Sequence, residues 1–217
     1  DKMLCLSAKP NAAHKKLAEM EKAGKLTAVI TQNIDGLHQA AGSRNVYELH
    51  GSVLRNYCQK CGKFYTAEYI LNSTGVPKCE CGGVIKPDVV LYEEGLDQET
   101  IEKSVQAIRE ADMLIIGGTS LVVYPAAGLI DYFRGDHLVV INKAPTPRDK
   151  YADLLIKEPI GKVFMSDSLT DVKIPADVRD NSGAVGSMTS GSKMPIADDW
   201  NKMRFFTSWT NMEPEKD

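Results

Sequence analysis

The sequence lacks the features that mark several classes of protein. No apolar run approaches the roughly 18 residues of a membrane span, and we find no internal repeats. The formal net charge of −3 gives no electrostatic reason to expect nucleic acid or an anionic membrane as a partner. Residues 1–4 do not resemble the start of a secretory signal. With 43% hydrophobic and 25% charged residues, the 217-residue chain is typical of a globular protein, and we expect it in the cytoplasm.

Cysteine is scarce and unevenly distributed. Four of the five cysteines form two close pairs, Cys58-x2-Cys61 and Cys79-x-Cys81, which indicates a reducing compartment and a metal rather than disulfides. Four thiolates fill the tetrahedral shell of Zn²⁺, so no water can coordinate and the ion is structural. We predict one zinc per chain in an inserted zinc-ribbon module at residues 53–86. A redox dithiol is the alternative, and the remaining Cys5 is predicted to be an idle thiol.

Apolar segments that alternate between strand and helix patterns predict an α/β fold. Strands are predicted at 26–31, 46–49, 88–92, 113–116, 137–141 and 154–156, and helices at 10–23, 35–41, 97–111 and 125–133. Near-continuous apolar strands are typical of a parallel sheet with helices on both faces. We therefore predict a Rossmann-like domain from residues 1–52 and 87–165, interrupted by the zinc module.

The pattern ends near residue 166, and residues 166–217 are rich in Ser, Thr, Asp, Gly and Met. This composition predicts a polar C-terminal tail that is poorly ordered. The alternative is a short docking helix that begins near Asp198, because Trp200, Met203, Phe206 and Trp209 have helical spacing.

Polar turns follow three of the predicted strands. They are Gln32-Asn33-Ile34-Asp35, Gly117-Gly118-Thr119-Ser120 and Asn142-Lys143. Each turn alone is explained as a helix N-cap. In a parallel α/β sheet, however, ligands bind beyond the carboxyl ends of the strands, so three such turns together favour a nucleotide site.

These motifs, taken in order, resemble those of the sirtuins, the NAD-dependent protein deacylases. The resemblance extends from about Pro10 to Phe164 and includes the four cysteines. The other matching segments are Thr31 to His38, Glu48 to Gly51, Lys86 to Glu94, Gly118 to Ala127 and Ile141 to Lys143.

The resemblance implies a role for each motif. Asn33 and Asp35 would line the nicotinamide pocket, Gln32 would contact the neighbouring ribose, and Ile34 would also belong to the NAD site. The adenosine half of NAD would be held by Gly118, Thr119, Ser120, Asn142, Lys143, Ala152 and Asp153. His50 would be the general base, with Asn33 and Asp35 beside it in the catalytic set. In isolation, His50 would be interpreted as a structural histidine.

The implied substrate is an acylated-lysine protein or peptide, and the implied products are free lysine, nicotinamide and O-acyl-ADP-ribose. Val89, Val90, Tyr92 and Glu94 match the segment where sirtuins hold the peptide as an added strand. The family often has Phe-Gly-Glu where this chain has Tyr92-Glu93-Glu94, which leaves the acyl preference open.

One element of the family pattern is missing. Sirtuins begin with a strand, a Gly-Ala-Gly-x-Ser turn and an Arg-bearing loop, and residues 1–9 are too short to supply them. We therefore expect a sheet without its central strand and weak or no deacylation by this chain. Two alternatives stay open: a non-catalytic binding module, and mono-ADP-ribosyl transfer in the same pocket.

Overall fold

A computed structural model of the chain describes residues 5–165 and 203–207. In chain order the elements are α1 (Ala12–Lys22), β1 (Leu26–Thr31), α2 (Leu37–Ala41), β2 (Val46–Glu48), β3 (Gly51–Cys58), β4 (Phe64–Thr66), α3 (Ala67–Leu71), β5 (Ile85–Val89), α4 (Gln98–Arg109), β6 (Met113–Gly117), a 3-10 helix (Ala126–Tyr132), β7 (His137–Ile141), a 3-10 turn (Asp149–Tyr151), β8 (Leu154–Ile156), α5 (Ile160–Val163) and β9 (Met203–Thr207). Within these residues, no helix is both long enough and apolar enough to cross a bilayer.

The main sheet has six parallel strands in the order β2-β1-β9-β6-β7-β8. Every residue of β6 is buried, because both of its faces are covered. One apolar cluster joins the sheet to α1 and α5, and a second joins the opposite face to α4 and the 3-10 helix Ala126–Tyr132. The predicted fold class, a parallel sheet with helices on both faces, is confirmed.

The central strand β9 comes from the C-terminal end of the chain. It pairs with β1 and with β6, in the position that the family resemblance left without a strand. The prediction of a poorly ordered tail is therefore wrong for Met203–Thr207, and so is the alternative of a helix there. Hydrogen bonds on both sides and burial of all five residues override the helical spacing. Trp200 and Trp209 lie outside the described residues.

The inserted module is a three-stranded antiparallel sheet in the order β4-β3-β5. Its strands extend from Gly51 to Val89, a few residues beyond the predicted limits of 53 and 86. The strand predicted at 88–92 lies earlier, at Ile85–Val89, because pairing with β3 fixes its register as Cys58 opposite Ile85.

Two buried histidines join α1 to α2. The rings of His14 and His38 lie 4.6 Å apart between centroids, and both side chains are almost fully excluded from solvent. His14 also belongs to the capping box of α1, whose N-cap is Asn11, and its Nδ1 lies 2.7 Å from Asn11 Oδ1. Burial lowers the pKa of His14 to about 4, with Asp35 acting in the opposite direction. Burial, followed by the charge of His14, lowers the pKa of His38 to about 3.

Because both histidines are buried in the neutral form, we expect the free energy of unfolding to fall as the pH falls from about 6.5 towards 4. Unfolded histidines take up protons below about pH 6.5, whereas the folded pair stays neutral, so protonation favours the unfolded chain. Each histidine should lower the free energy of unfolding by up to about 1.4 kcal/mol per pH unit in this window. Urea unfolding at several pH values should give a shallower dependence in His38→Gln than in the parent chain. Equal slopes for the two proteins would contradict the prediction.

Candidate active site

The turn after β1 gathers amide and carboxylate groups at the carboxyl edge of the sheet. The backbone N–H of Asn33 donates to Thr31 Oγ1 at 3.0 Å, and its side-chain amide lies 3.4 Å from Asp35 Oδ2. Asp35 Oδ1 accepts a bond from the Leu37 N–H at 2.9 Å. Asp35 thus holds the first residue of α2 from one position before the N-cap, which is Gly36 and has no side-chain cap bond, while its second oxygen faces Asn33.

The His50 ring is held against this same turn. Its Nδ1 lies 3.1 Å from the backbone oxygen of Gln32. A carbonyl oxygen can only accept, so Nδ1 carries the proton, and in the neutral ring Nε2 is left with a lone pair. Nε2 forms no hydrogen bond within residues 5–165 and 203–207. The ring is therefore oriented so that its Nε2 is available to accept a proton.

The glycine after His50 fixes the approach of β5. Gly51 has a φ of +74°, and a Cβ there would lie 2.0 Å from the backbone oxygen of Asp88. Only glycine allows this contact. The next hydrogen bond runs from the Val90 N–H to the His50 oxygen at 3.1 Å. The predicted substrate segment is thereby joined directly to the His50 turn.

The predicted substrate residues differ in their surroundings. Val89 is buried and Val90 is half-buried, whereas the side chain of Tyr92 is fully exposed. The Glu94 carboxylate accepts bonds from the Leu91 N–H at 2.9 Å and from Lys86 Nζ at 3.0 Å. These two donors lower the pKa of Glu94. Glu94 therefore closes its own turn, and Tyr92 is presented at the tip of that turn.

The second and third polar turns lie at the same edge of the sheet. The Gly118 N–H donates to the Ile141 oxygen at 3.1 Å, and the Asn142 N–H donates to the Ile156 oxygen at 3.0 Å. Thr119 is buried and its Oγ1 accepts a bond from the Leu121 N–H. Ser120 is half-buried and Lys143 is exposed. The structure thus brings Gly118 to Ser120 and Asn142 to the edge that carries Gln32 to Asp35.

Ala152 and Asp153 are not brought to this edge. The Asp153 carboxylate accepts a bond from the Leu138 N–H at 2.7 Å, near the start of β7. In a parallel sheet the residues before β8 lie at the amino edge, roughly 10 Å from the carboxyl ends. Helix α5 begins beyond the carboxyl end of β8, and the side chain of its first residue, Ile160, packs where a Cβ on Gly117 would be.

Sequence reasoning also missed an exposed apolar segment beside the site. Val122, Val123 and Tyr124 are all more than 40% exposed, and only the buried Leu121 separates them from the second polar turn. The Gln32 side-chain amide donates to the Val123 oxygen at 3.3 Å, which ties this segment to the first turn. Exposed apolar groups next to a polar site indicate a binding surface.

The four paired cysteines meet at one point of the module. All their sulfur atoms lie within 4.8 Å of one another, with Cys58–Cys81 at 3.4 Å and Cys61–Cys79 at 3.6 Å. Tetrahedral zinc with Zn–S bonds of about 2.3 Å requires sulfur separations of about 3.8 Å. No disulfide joins them. The donor set therefore fits one structural Zn²⁺ held by Cys58, Cys61, Cys79 and Cys81, with no open position.

Loss of one thiolate should remove the metal and unfold the module. We expect Cys79→Ser to lower bound zinc from one per chain to less than about a tenth, since metal binding supplies on the order of 10–16 kcal/mol in small zinc peptides. Zinc content by atomic emission and limited proteolysis of residues 51–89 would measure both effects. The matched control is Cys5→Ser, because Cys5 is exposed and outside the cluster. Full zinc retention in Cys79→Ser would contradict the assignment.

The parallel sheet, the polar turns at its carboxyl edge and the four-cysteine module together define a nucleotide-binding α/β protein with a structural zinc. Residues 1–125 match the model of the Sir2 family. A protein of Clostridium acetobutylicum called NAD-dependent protein deacetylase is 64% identical over 166 residues, which cover 76% of this chain and 68% of that protein. The chain belongs to the Sir2 family.

Two solved structures extend the similarity to the fold. A Sir2 protein in complex with a p53 peptide and NAD⁺ has a TM-score of 0.70 and 44% identity, covering 73% of this chain and 69% of that one. A Sir2 complex with the inhibitor EX-527, 2′-O-acetyl-ADP-ribose and a deacetylated p53 peptide has a TM-score of 0.70 and 43% identity, covering 73% and 70%.

Proposed function

We propose that this chain removes acyl groups from protein lysine in an NAD-dependent reaction that releases nicotinamide and O-acyl-ADP-ribose. The observation that carries the proposal is the His50 ring, which is anchored on the Gln32 carbonyl beside the Asn33–Asp35 pair. Support comes from the Clostridium relative named as an NAD-dependent deacetylase and from the Sir2 structures with NAD⁺ and with 2′-O-acetyl-ADP-ribose.

The three polar turns would hold NAD. We assign the nicotinamide side to Gln32–Asp35 and the adenosine side to the second and third turns, with Ile160 in place of Ala152 and Asp153. When bound, NAD supplies an electrophilic ribose carbon and nicotinamide as the leaving group. The residues proposed to bind it are Gln32, Asn33, Ile34, Asp35, Gly118, Thr119, Ser120, Asn142, Lys143 and Ile160.

His50 would act as the general base. Its Nε2 accepts a proton, and the Nδ1–H bond to the Gln32 oxygen then stabilises the positive charge of the ring. The carbonyl also fixes the tautomer, a role that a carboxylate plays in the triads of hydrolases. Asn33 and Asp35 orient the reacting groups on the other side of the turn.

The acylated peptide would bind between two segments that meet at the site. Val89 and Val90 offer backbone next to His50, and Val122 and Val123 offer an exposed apolar strip tied to Gln32. An added peptide strand gains main-chain hydrogen bonds with little demand on its sequence. Acylated-lysine proteins are thus the proposed partners. We also propose a cytoplasmic location, since the four zinc-binding thiolates require reducing conditions.

The test is to incubate the purified chain with NAD and an acetyl-lysine peptide and to follow three products by mass spectrometry. We expect nicotinamide, free-lysine peptide and O-acetyl-ADP-ribose to appear in equal amounts. Nicotinamide release with ADP-ribose attached to protein would instead indicate mono-ADP-ribosyl transfer. Saturable NAD binding by calorimetry without any product would indicate a binding module.

A further inference from the structure

The central strand of the sheet, β9, lies far along the chain from the strands that it pairs with. Strand β9 lies between β1 and β6, and residues 166–202 separate it from α5 and Met165. Every position of β9 has a register partner on at least one side, and the Gln32 N–H continues the ladder to the Thr207 oxygen at 2.9 Å. The space between β1 and β6, called the slot below, therefore accommodates one parallel strand that is hydrogen-bonded on both sides.

Three residues of β9 match this slot. Met203, Phe205 and Phe206 are fully buried. Met203 and Phe205 join the apolar cluster beneath α1, and Phe206 joins the cluster on the α4 face. The slot therefore selects a strand that is apolar on both of its faces.

Arg204, by contrast, does not suit the apolar surroundings of the slot. It is 6% exposed and lies in register with Ala28 and Leu114, which are apolar core residues. Its guanidinium donates one bond, at 3.3 Å, to the backbone oxygen of the preceding Met203, and its Nε is buried without a partner. Among the residues that the structure describes, no carboxylate lies within ion-pair distance of it. A buried charge without an ion pair is costly.

Thr207 is a second, weaker mismatch. Its side chain is fully buried, and its hydroxyl forms no hydrogen bond within the described part of the chain. Burying a hydroxyl without a hydrogen bond opposes folding. Two of five positions in β9 thus oppose its burial, whereas the neighbouring β6 carries no polar side chain at all.

We propose that the space between β1 and β6 is a strand-binding site, filled within the chain by β9 and able to accept in its place an extended apolar strand from another polypeptide. The preferred occupant keeps the two phenylalanines and carries an aliphatic residue at the position of Arg204. Main-chain bonds to β1 and β6 supply affinity, and the two apolar faces supply specificity. Because β9 belongs to the same chain it competes as an intramolecular ligand, and its poor fit makes exchange possible.

The probe is a fluorescent peptide of residues 202–208 that carries the Arg204→Ile change, added to the full chain and followed by anisotropy. We expect saturable binding, at least about tenfold tighter than that of the peptide with the original sequence. In the Arg204→Ile protein, whose own strand fits better, the probe should bind at least tenfold more weakly. Arg44→Ile, an exposed position, is the matched control and should bind like the parent chain.

Hydrogen exchange gives a readout that does not depend on the variants. Bound probe should increase exchange at the amides of Met203–Thr207 while β1 and β6 stay protected. Absence of saturable binding to the parent chain would overturn the proposal. Binding that leaves exchange of β9 unchanged, or that is equal in the parent and Arg204→Ile proteins, would also overturn it, because the probe would then occupy another surface.

Discussion

Replacing His50 with alanine is expected to lower the rate of NAD-dependent deacylation by about 10²–10⁴-fold, the usual contribution of a general base. The loss should fall on kcat, because a general base acts in the chemical step and the ring is oriented by a backbone oxygen. Affinity for NAD, measured by calorimetry, should change by less than about threefold. This difference separates a catalytic role from a binding role.

The control for this variant is His137→Ala. His137 begins β7 at the amino edge of the sheet, so the same change there should leave both turnover and NAD affinity intact. The role of His50 would have to be abandoned if His50→Ala retained more than a tenth of the parent rate. It would also have to be abandoned if the loss could be recovered by raising NAD, since that would indicate a binding residue.

Ending the chain after Lys202 is expected to abolish cooperative folding of the main sheet. Strand β9 buries Met203, Phe205 and Phe206 completely. At about 1.5–3 kcal/mol for each buried side chain, these residues together contribute roughly 5–9 kcal/mol. The total stability of a domain is only about 5–15 kcal/mol. The shortened chain would also expose the unpaired edges of β1 and β6, which promotes aggregation.

The matched control ends after Ser208 and keeps β9. Thermal unfolding by circular dichroism should show a cooperative transition for the control and none for the chain that ends after Lys202. Phe206→Ala should lie between them, with a loss of about 3–5 kcal/mol. Equal melting temperatures for the two truncated chains would show that β9 does not support the sheet.

Much of the fold could be predicted because the strand signals are local. The runs Leu26–Thr31 and His137–Ile141 are apolar on both faces, as buried parallel strands must be, and the structure has them at the predicted bounds. The paired cysteines likewise indicate metal through short-range spacing. The strand predicted at 88–92 was misplaced, because its position depends on pairing with β3, which lies far away in sequence.

The site was predicted unevenly for a similar reason. Asn33, Asp35 and His50 each follow a recognisable strand or motif, and the structure places all three at one turn, as the sequence predicts. Asp153 lies away from them, beside Leu138, and the sequence does not show which end of β7 it contacts. The exposed segment at Val122–Tyr124 carries no polar signal, and its role emerges only from its contact with Gln32.

By itself, the sequence determined the alternation of strands and helices, the zinc ligands and the polar turns, because these depend on side-chain chemistry within a few residues. Tertiary structure alone decided that Met203–Thr207 is the central strand, that Gln32 orients His50, and that Asp153 lies away from the site. These outcomes depend on contacts between distant segments. A five-residue segment such as Met203–Thr207 forms a strand only where two neighbouring strands have unpaired edges to which it can hydrogen-bond.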